Sequence, residues 1–152
     1  KRRRNAADFS DQEHYAIELL LTDDGEFANR MMHPRHEIPK IYQVLLGAKL
    51  SEAQLVQLGS PMVIDGYEID PVKCRVLEYN EAGTVLEMVL YEGRNRQIRR
   101  MCEAVDLSVV RLKRTEIAGV KLGMLPQGKW RELNEREMRR LTNVSQSREE
   151  EN

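Results

Sequence analysis

Two runs of alternating residues constrain this chain more than anything else in it. Cys74-Arg75-Val76-Leu77-Glu78-Tyr79 and Thr84-Val85-Leu86-Glu87-Met88-Val89-Leu90 alternate apolar and polar side chains. A period of two puts one set on each face of a strand. The Asn80-Glu81-Ala82-Gly83 connection joins the runs as an antiparallel hairpin with one wet face. The dry face has to be covered by other elements of the same domain.

Those elements are legible along the chain. Residues 16–22 read as a buried strand, although Leu and Glu leave a helix open. Asp23-Asp24-Gly25 is a turn signal, and residues 26–33 read as a short helix with Phe27 and Met31 inward, ended by Pro34. Residues 40–46 carry the β-branched and aromatic content of a strand. Ser51 with Gln54 three residues later matches a capping box and predicts a helix over 52–58. Residues 63–69 read as a hairpin around Asp65-Gly66. A helix is predicted over 95–104 with Ile98, Met101 and Cys102 on its apolar side, a strand over 108–115, and a last helix over 134–141 capped by Asn134. The sum is an α+β domain, a mainly antiparallel mixed sheet with flanking helices. Residues 1–15 read as a polar, poorly ordered arm, 16–143 as the domain proper, and 144–152 as an acidic disordered tail.

Composition removes several classes of protein. The 152 residues fit one domain, long enough for a working core. No apolar run is long enough to span a bilayer as a helix, and no apolar core follows the basic opening Lys1-Arg2-Arg3-Arg4, so neither a membrane protein nor a secretory signal is expected. The sequence does not begin with Met and reads as a piece of a longer chain. Cys74 and Cys102 have no paired Cys-x-x-Cys spacing, so a disulfide scaffold or zinc site is not expected, and a cytoplasmic setting is. His33, His36 and Glu37 have a possible ligand spacing but no fourth donor, so no metal is assigned.

The net charge of −1 hides a local concentration of cations. Arg94, Arg96, Arg99, Arg100, Arg111, Lys113, Arg114 and Lys121 crowd one stretch, and the acidic tail after Arg148 offsets them in the sum. Phosphate binding depends on local patches, although a solvated basic surface is the alternative. Within that stretch, Gly93-Arg94-Asn95-Arg96-Gln97-Ile98-Arg99-Arg100-Met101 leaves a strand and opens a helix. Free amides and a positive dipole end there suit an anion.

This segment resembles the Gly-Arg-x-x-Gln-Ile-Arg motif of the ribosomal RNA pseudouridine synthases. Val110-Arg111-Leu112-Lys113-Arg114, Leu122-Gly123-Met124-Leu125-Pro126-Gln127-Gly128-Lys129-Trp130-Arg131-Glu132-Leu133 and Leu19-Leu20-Leu21-Thr22-Asp23-Asp24-Gly25, running on to Tyr42, are similar to the branch that modifies one or a few ribosomal uridines. The likeness covers residues 19–142. It implies a pseudouridine synthase-like catalytic domain, a ribosomal RNA partner, and cofactor-free isomerisation of a flipped uridine to pseudouridine. By resemblance, Tyr42 packs against the base and Arg99 pairs with a catalytic aspartate. Arg35, Arg94, Arg96, Arg100, Arg111, Lys113 and Arg114 are assigned to RNA. The basic segment is expected to form one face with the Tyr42 strand, with Arg99 pointing into the cleft under Tyr42.

The resemblance breaks at the nucleophile. The family's Gly-Arg-Leu-Asp precedes the leucines, and counting back from Thr22 puts Gln12 at the aspartate's place. Asp11 is one residue out of register, and an amide cannot serve as a carboxylate nucleophile. Three readings stand. Asp11 acts through a shifted register, the chain is a catalytically inactive relative that binds ribosomal RNA, or its active-site segment is missing. Which uridine is modified, and the oligomeric state, do not follow from these residues.

Overall fold

The computed structural model of the chain describes residues 15–33, 38–92 and 96–147. Asp11, Arg35, His36, Glu37 and Arg94 lie outside them. In chain order the elements are β1 (Tyr15–Ile17), α1 (Gly25–Met32), β2 (Lys40–Leu46), α2 (Glu52–Leu58), β3 (Met62–Ile64), β4 (Tyr67–Ile69), β5 (Lys73–Asn80), β6 (Gly83–Leu90), α3 (Gln97–Ala104), β7 (Val109–Ile117), β8 (Val120–Lys121) and α4 (Glu135–Ser147). The main sheet has the order β1-β7-β2-β6-β5, with β8 pairing β7, and β3-β4 form a separate ribbon. Among the described strands of this sheet, β1 alone runs parallel to its neighbour, β7. The fold is the α+β arrangement that the alternation predicts.

The hairpin of β5 and β6 behaves as its pattern requires. Along β6 every second residue, Thr84, Leu86, Met88 and Leu90, is buried. Val44 and Leu46 of β2 lie opposite Leu86 and Thr84, so β2 and β6 share one dry face. Ile98, Met101 and Cys102 of α3 join these residues in one core cluster. A second cluster gathers Phe27, Ile38, Ile117, Val120 and Leu141, which ties α1 and α4 to the β7–β8 end. Two polar residues, Thr84 of β6 and Gln97 of α3, are buried beside the first core, Thr84 completely. The Thr84 hydroxyl donates to the Ala48 carbonyl at 2.9 Å and accepts from the Leu50 amide at 3.0 Å, so neither partner is left unpaired.

Local signals place the helix starts. Asp24 accepts from the Glu26 and Phe27 amides, Ser51 and Gln54 form the predicted capping box, and Asn134 and Glu137 exchange backbone-to-side-chain bonds at 2.8 and 3.0 Å. Among the described residues no helix is long and apolar enough to cross a membrane.

Three boundaries differ from expectation. β1 ends at Ile17, and the leucines after it are not a strand; Leu19 and Leu21 are 44% and 57% exposed. The reason lies on the edge of β7. Lys121 pairs with Glu116, and the Leu122 amide takes the Thr115 carbonyl, so nothing remains there for residues 19–22 to bond. α3 starts at Gln97, because Arg96 takes a left-handed conformation with φ 54° that a helix cannot continue. α4 runs past Leu141, its expected end, to Ser147. Val144, three residues beyond buried Leu141, packs on the second cluster and extends the helix.

Gly83 closes the central hairpin with φ +137°, and a Cβ there would run into the carbonyl oxygen of Leu46. We expect Gly83→Ala to destabilise the domain by about 3 kcal/mol, from backbone strain plus that clash. Urea denaturation measures it; a loss below about 1 kcal/mol would show that the turn relaxes.

Candidate functional site

The site is set by the pairing of β2 with β7. Tyr42 lies opposite Arg114, Gln43 opposite Lys113, Val44 opposite Leu112 and Leu45 opposite Arg111. Between Tyr42 and Ile41 the register jumps from Arg114 to Glu116, leaving Thr115 as the extra residue of a β-bulge. The Thr115 hydroxyl donates to the Ile41 carbonyl at 3.3 Å, which fastens the bulge to β2.

Tyr42 is half-buried, with its ring against the first core cluster. Its hydroxyl meets Nη1 of Arg114 at 3.5 Å. The same guanidinium donates through Nε and Nη2 to the Glu18 carbonyl, at 2.9 and 2.6 Å. Arg114 therefore links the tyrosine on β2 to the backbone just after β1. It serves as an internal clamp, although the motif alone assigned it to RNA.

Lys40 lies two residues before Tyr42 and on the same side of β2, opposite buried Leu90. Its Nζ donates to the Ile38 carbonyl at 3.3 Å. Burial pulls the Lys40 amine below its ordinary pKa, and the Arg114 charge adds to the effect. Gln97, in the first turn of α3, lines one pocket with Leu90 and Tyr91, so this turn stands at the end of β6 that lies opposite Lys40.

The cations of the basic stretch separate by position. Arg99 is half-buried in the first turn of α3, whereas Arg96 and Arg100 are exposed, and Arg100 is ion-paired with Asp65 in the β3–β4 turn. Arg111 and Lys113 alternate with buried Leu112, so they project from the opposite face of the sheet to Tyr42. The expectation of one basic face with Tyr42 is corrected here, and the strand's own period of two is the cause.

Glu18 is the residue that sequence reasoning missed. It is only 5% exposed, and among the described residues neither carboxylate oxygen has a hydrogen-bond partner. Burial raises its pKa from 4.5 to about 8; Arg114 and Arg131 oppose the rise, while Glu116 and Glu137 add to it. A lone Glu within the apolar run Ala16-Ile17-Glu18-Leu19-Leu20 was the available signal. Burial also pushes the Cys74 and Cys102 thiols up to about 11 and about 12, so neither offers a thiolate near neutral pH. Among the described residues no cluster of His, Cys, Asp and Glu is arranged to hold a metal ion.

The model of the family described as RNA pseudouridylate synthase matches residues 19–104, which include β2, the central hairpin and α3. The chain belongs to that family. An uncharacterized RNA pseudouridine synthase of Aquifex aeolicus (strain VF5) is 39% identical over 123 residues, covering 81% of this chain and 49% of its own length. The ribosomal large subunit pseudouridine synthase B of Bacillus subtilis (strain 168) is 38% identical over 125 residues, covering 81% of this chain and 51% of its own. A crystal structure of a pseudouridylate synthase superposes with a TM-score of 0.72 at 29% identity, over 79% of this chain and 52% of that one. The chain thus spans about half the length of the curated relatives it matches.

Glu18 makes the stability of this pseudouridylate synthase domain depend on pH. Between pH 4.5 and about 8 the folded chain holds a proton that the unfolded chain has released. Stability therefore falls as pH rises through that window and levels off above it. Each pH unit is worth about 1.4 kcal/mol at most. We expect Glu18→Gln to flatten the curve and to gain most at pH 8 and least near pH 4.5. Urea melts of both proteins across this range test it; parallel curves would remove Glu18 as the cause.

Proposed function

We propose that this domain binds ribosomal RNA at the β2–β7 site and belongs to the machinery that converts a uridine there to pseudouridine. The observation that carries this reading is Tyr42: a tyrosine ring seated on the core cluster that includes Ile98 of α3, with its hydroxyl held by Arg114. Such a ring is a platform for a base that has left its stack. The name of the Bacillus subtilis relative supports a ribosomal target. The reaction moves the base from one of its own atoms to another, is redox-neutral, and draws on no cofactor. Its setting is the cytoplasm, where ribosomal RNA is modified.

In this reading Tyr42 packs against the flipped uracil, and Arg99 orients the carboxylate that attacks. Arg35, Arg94, Arg96 and Arg100 hold phosphates around the cleft, while Arg111 and Lys113 reach RNA only if it wraps to the other face of the sheet. A half-buried arginine beside a carboxylate favours the ionised, nucleophilic form. The chain as it stands has Gln12 where the family carries its aspartate, so positioning is retained without the group that forms the intermediate. RNA binding with little or no turnover is the expected behaviour.

Two measurements separate the parts. Turnover on ribosomal RNA by this chain, beside Asp11→Ala, should give no pseudouridine from either protein. Formation that Asp11→Ala abolishes would make Asp11 the nucleophile, and formation that survives it would place the nucleophile elsewhere. For binding, Arg96→Glu with Arg100→Glu should weaken RNA affinity about tenfold or more and flatten its salt dependence. Arg111→Glu with Lys113→Glu should cost much less. Equal losses from the two pairs would overturn the assignment of the cleft face.

A further inference from the structure

We propose that Lys40 and Arg114 form an anion site that takes one backbone phosphate of the nucleotide whose base rests on Tyr42. The inference rests on the RNA reading above and goes beyond it, since Lys40 belongs to no RNA-contacting set derived so far.

Four observations carry it. First, the two cations flank Tyr42, Lys40 two residues before it on the same face of β2 and Arg114 across the ladder from it. Second, both are half-buried, on adjacent strands, and close enough for the charge of one to disfavour the charge of the other. Placing like charges side by side in a partly dry position costs free energy that a bound anion recovers. Third, neither has an ion-pair partner among the described residues: Lys40 donates to the Ile38 carbonyl, and Arg114 to the Glu18 carbonyl and the Tyr42 hydroxyl. The acid that the Arg114 charge reaches, Glu18, is pushed by burial toward its neutral form, which weakens it as a countercharge. Fourth, donors are left over. Lysine has three and arginine five, and the bonds named use one and three of them. An anion bridging the remaining N–H groups completes both side chains at once.

The ligand class is a phosphate monoester or diester attached to a pyrimidine nucleoside. A phosphodiester between unpaired nucleotides fits the geometry, because the base can lie on the Tyr42 ring while its own phosphate reaches the β2–β7 ladder. Arg114 is thereby a shared element: it holds the tyrosine with one edge and offers the rest of its fork to the anion.

The test uses the whole chain and a fluorescein-labelled single-stranded oligouridylate, followed by anisotropy over a salt series from about 50 to 200 mM. Lys40→Gln removes the cation without adding charge, and relief of the repulsion with Arg114 should hold the melting temperature level or raise it. The expected result is a several-fold loss of affinity at low salt and a log–log salt slope shallower by about 0.7, the contribution of one phosphate contact on a single strand. Lys40→Arg should restore both. Uridine 5′-monophosphate should displace the oligonucleotide from the parent protein better than uridine does, and Lys40→Gln should erase that preference. Inorganic phosphate competing with the same dependence on Lys40 would support a site satisfied by the anion alone. An unchanged slope in Lys40→Gln, with the protein folded and RNA still bound, would overturn the anion site and leave the RNA reading standing. Failure of the parent protein to bind the oligonucleotide at low salt would overturn the RNA reading and this inference with it.

Discussion

The antiparallel pairing of β2 with β7 is the interaction on which the rest of this structure depends. It places Tyr42 beside Arg114, sets Val44 against Leu112 in the core, and through the bulge at Thr115 changes register before Ile117 enters the second cluster. One ladder thus joins two cores and the candidate site. The bulge lets the Arg114 side chain return toward Glu18 and Tyr42 while the following residues of β7 pair with β8. Backbone hydrogen bonds specify this arrangement more tightly than side-chain packing alone would, because a slip of one residue would exchange Arg114 for Lys113 on the Tyr42 face.

Around that ladder the domain tolerates polar groups that weaken it. Glu18 is buried with no hydrogen bond to its carboxylate among the described residues, Lys40 is held below its ordinary pKa, and Arg114 lies half-buried between them. Each disfavours the folded state relative to an apolar residue of similar size. They are concentrated within one small region, beside a tyrosine whose ring seats on the core, as perturbed groups at functional sites are. By contrast, Thr84, the buried hydroxyl among the described residues of the β2–β6–α3 core, has both of its bonds satisfied.

Much of the fold was legible because the signals were local. The alternation of β6, the capping box at Ser51, the Asp65-Gly66 turn and the Asn134 cap each act within a few residues, and each element forms where its signal stands. The elements that departed from expectation were those whose limits are set by distant parts of the chain. The leucines after β1 have the composition of a strand, but β8 and Leu122 already occupy the β7 edge they would need. α4 continues to Ser147 because Val144 finds a cluster built largely from residues earlier in the chain. For the site, Tyr42 and the α3 arginines were visible as motif residues, whereas the clamp made by Arg114, the burial of Glu18 and the placement of Lys40 were not.

By itself the amino-acid sequence determined the class of the domain, the order and type of nearly all its elements, and its membership in the pseudouridylate synthase family. These follow from periodicity, turn chemistry and motif identity, which are properties of neighbours along the chain. Only the tertiary structure decided which cations face Tyr42. Arg111, Lys113 and Arg114 are nearly adjacent in sequence, yet the first two project from one face of the sheet and the third is drawn inward by Glu18 and Tyr42. The physical reason is that a strand's side chains alternate between faces, so their function depends on what lies on each side. That is set by partners 72 and 96 residues away.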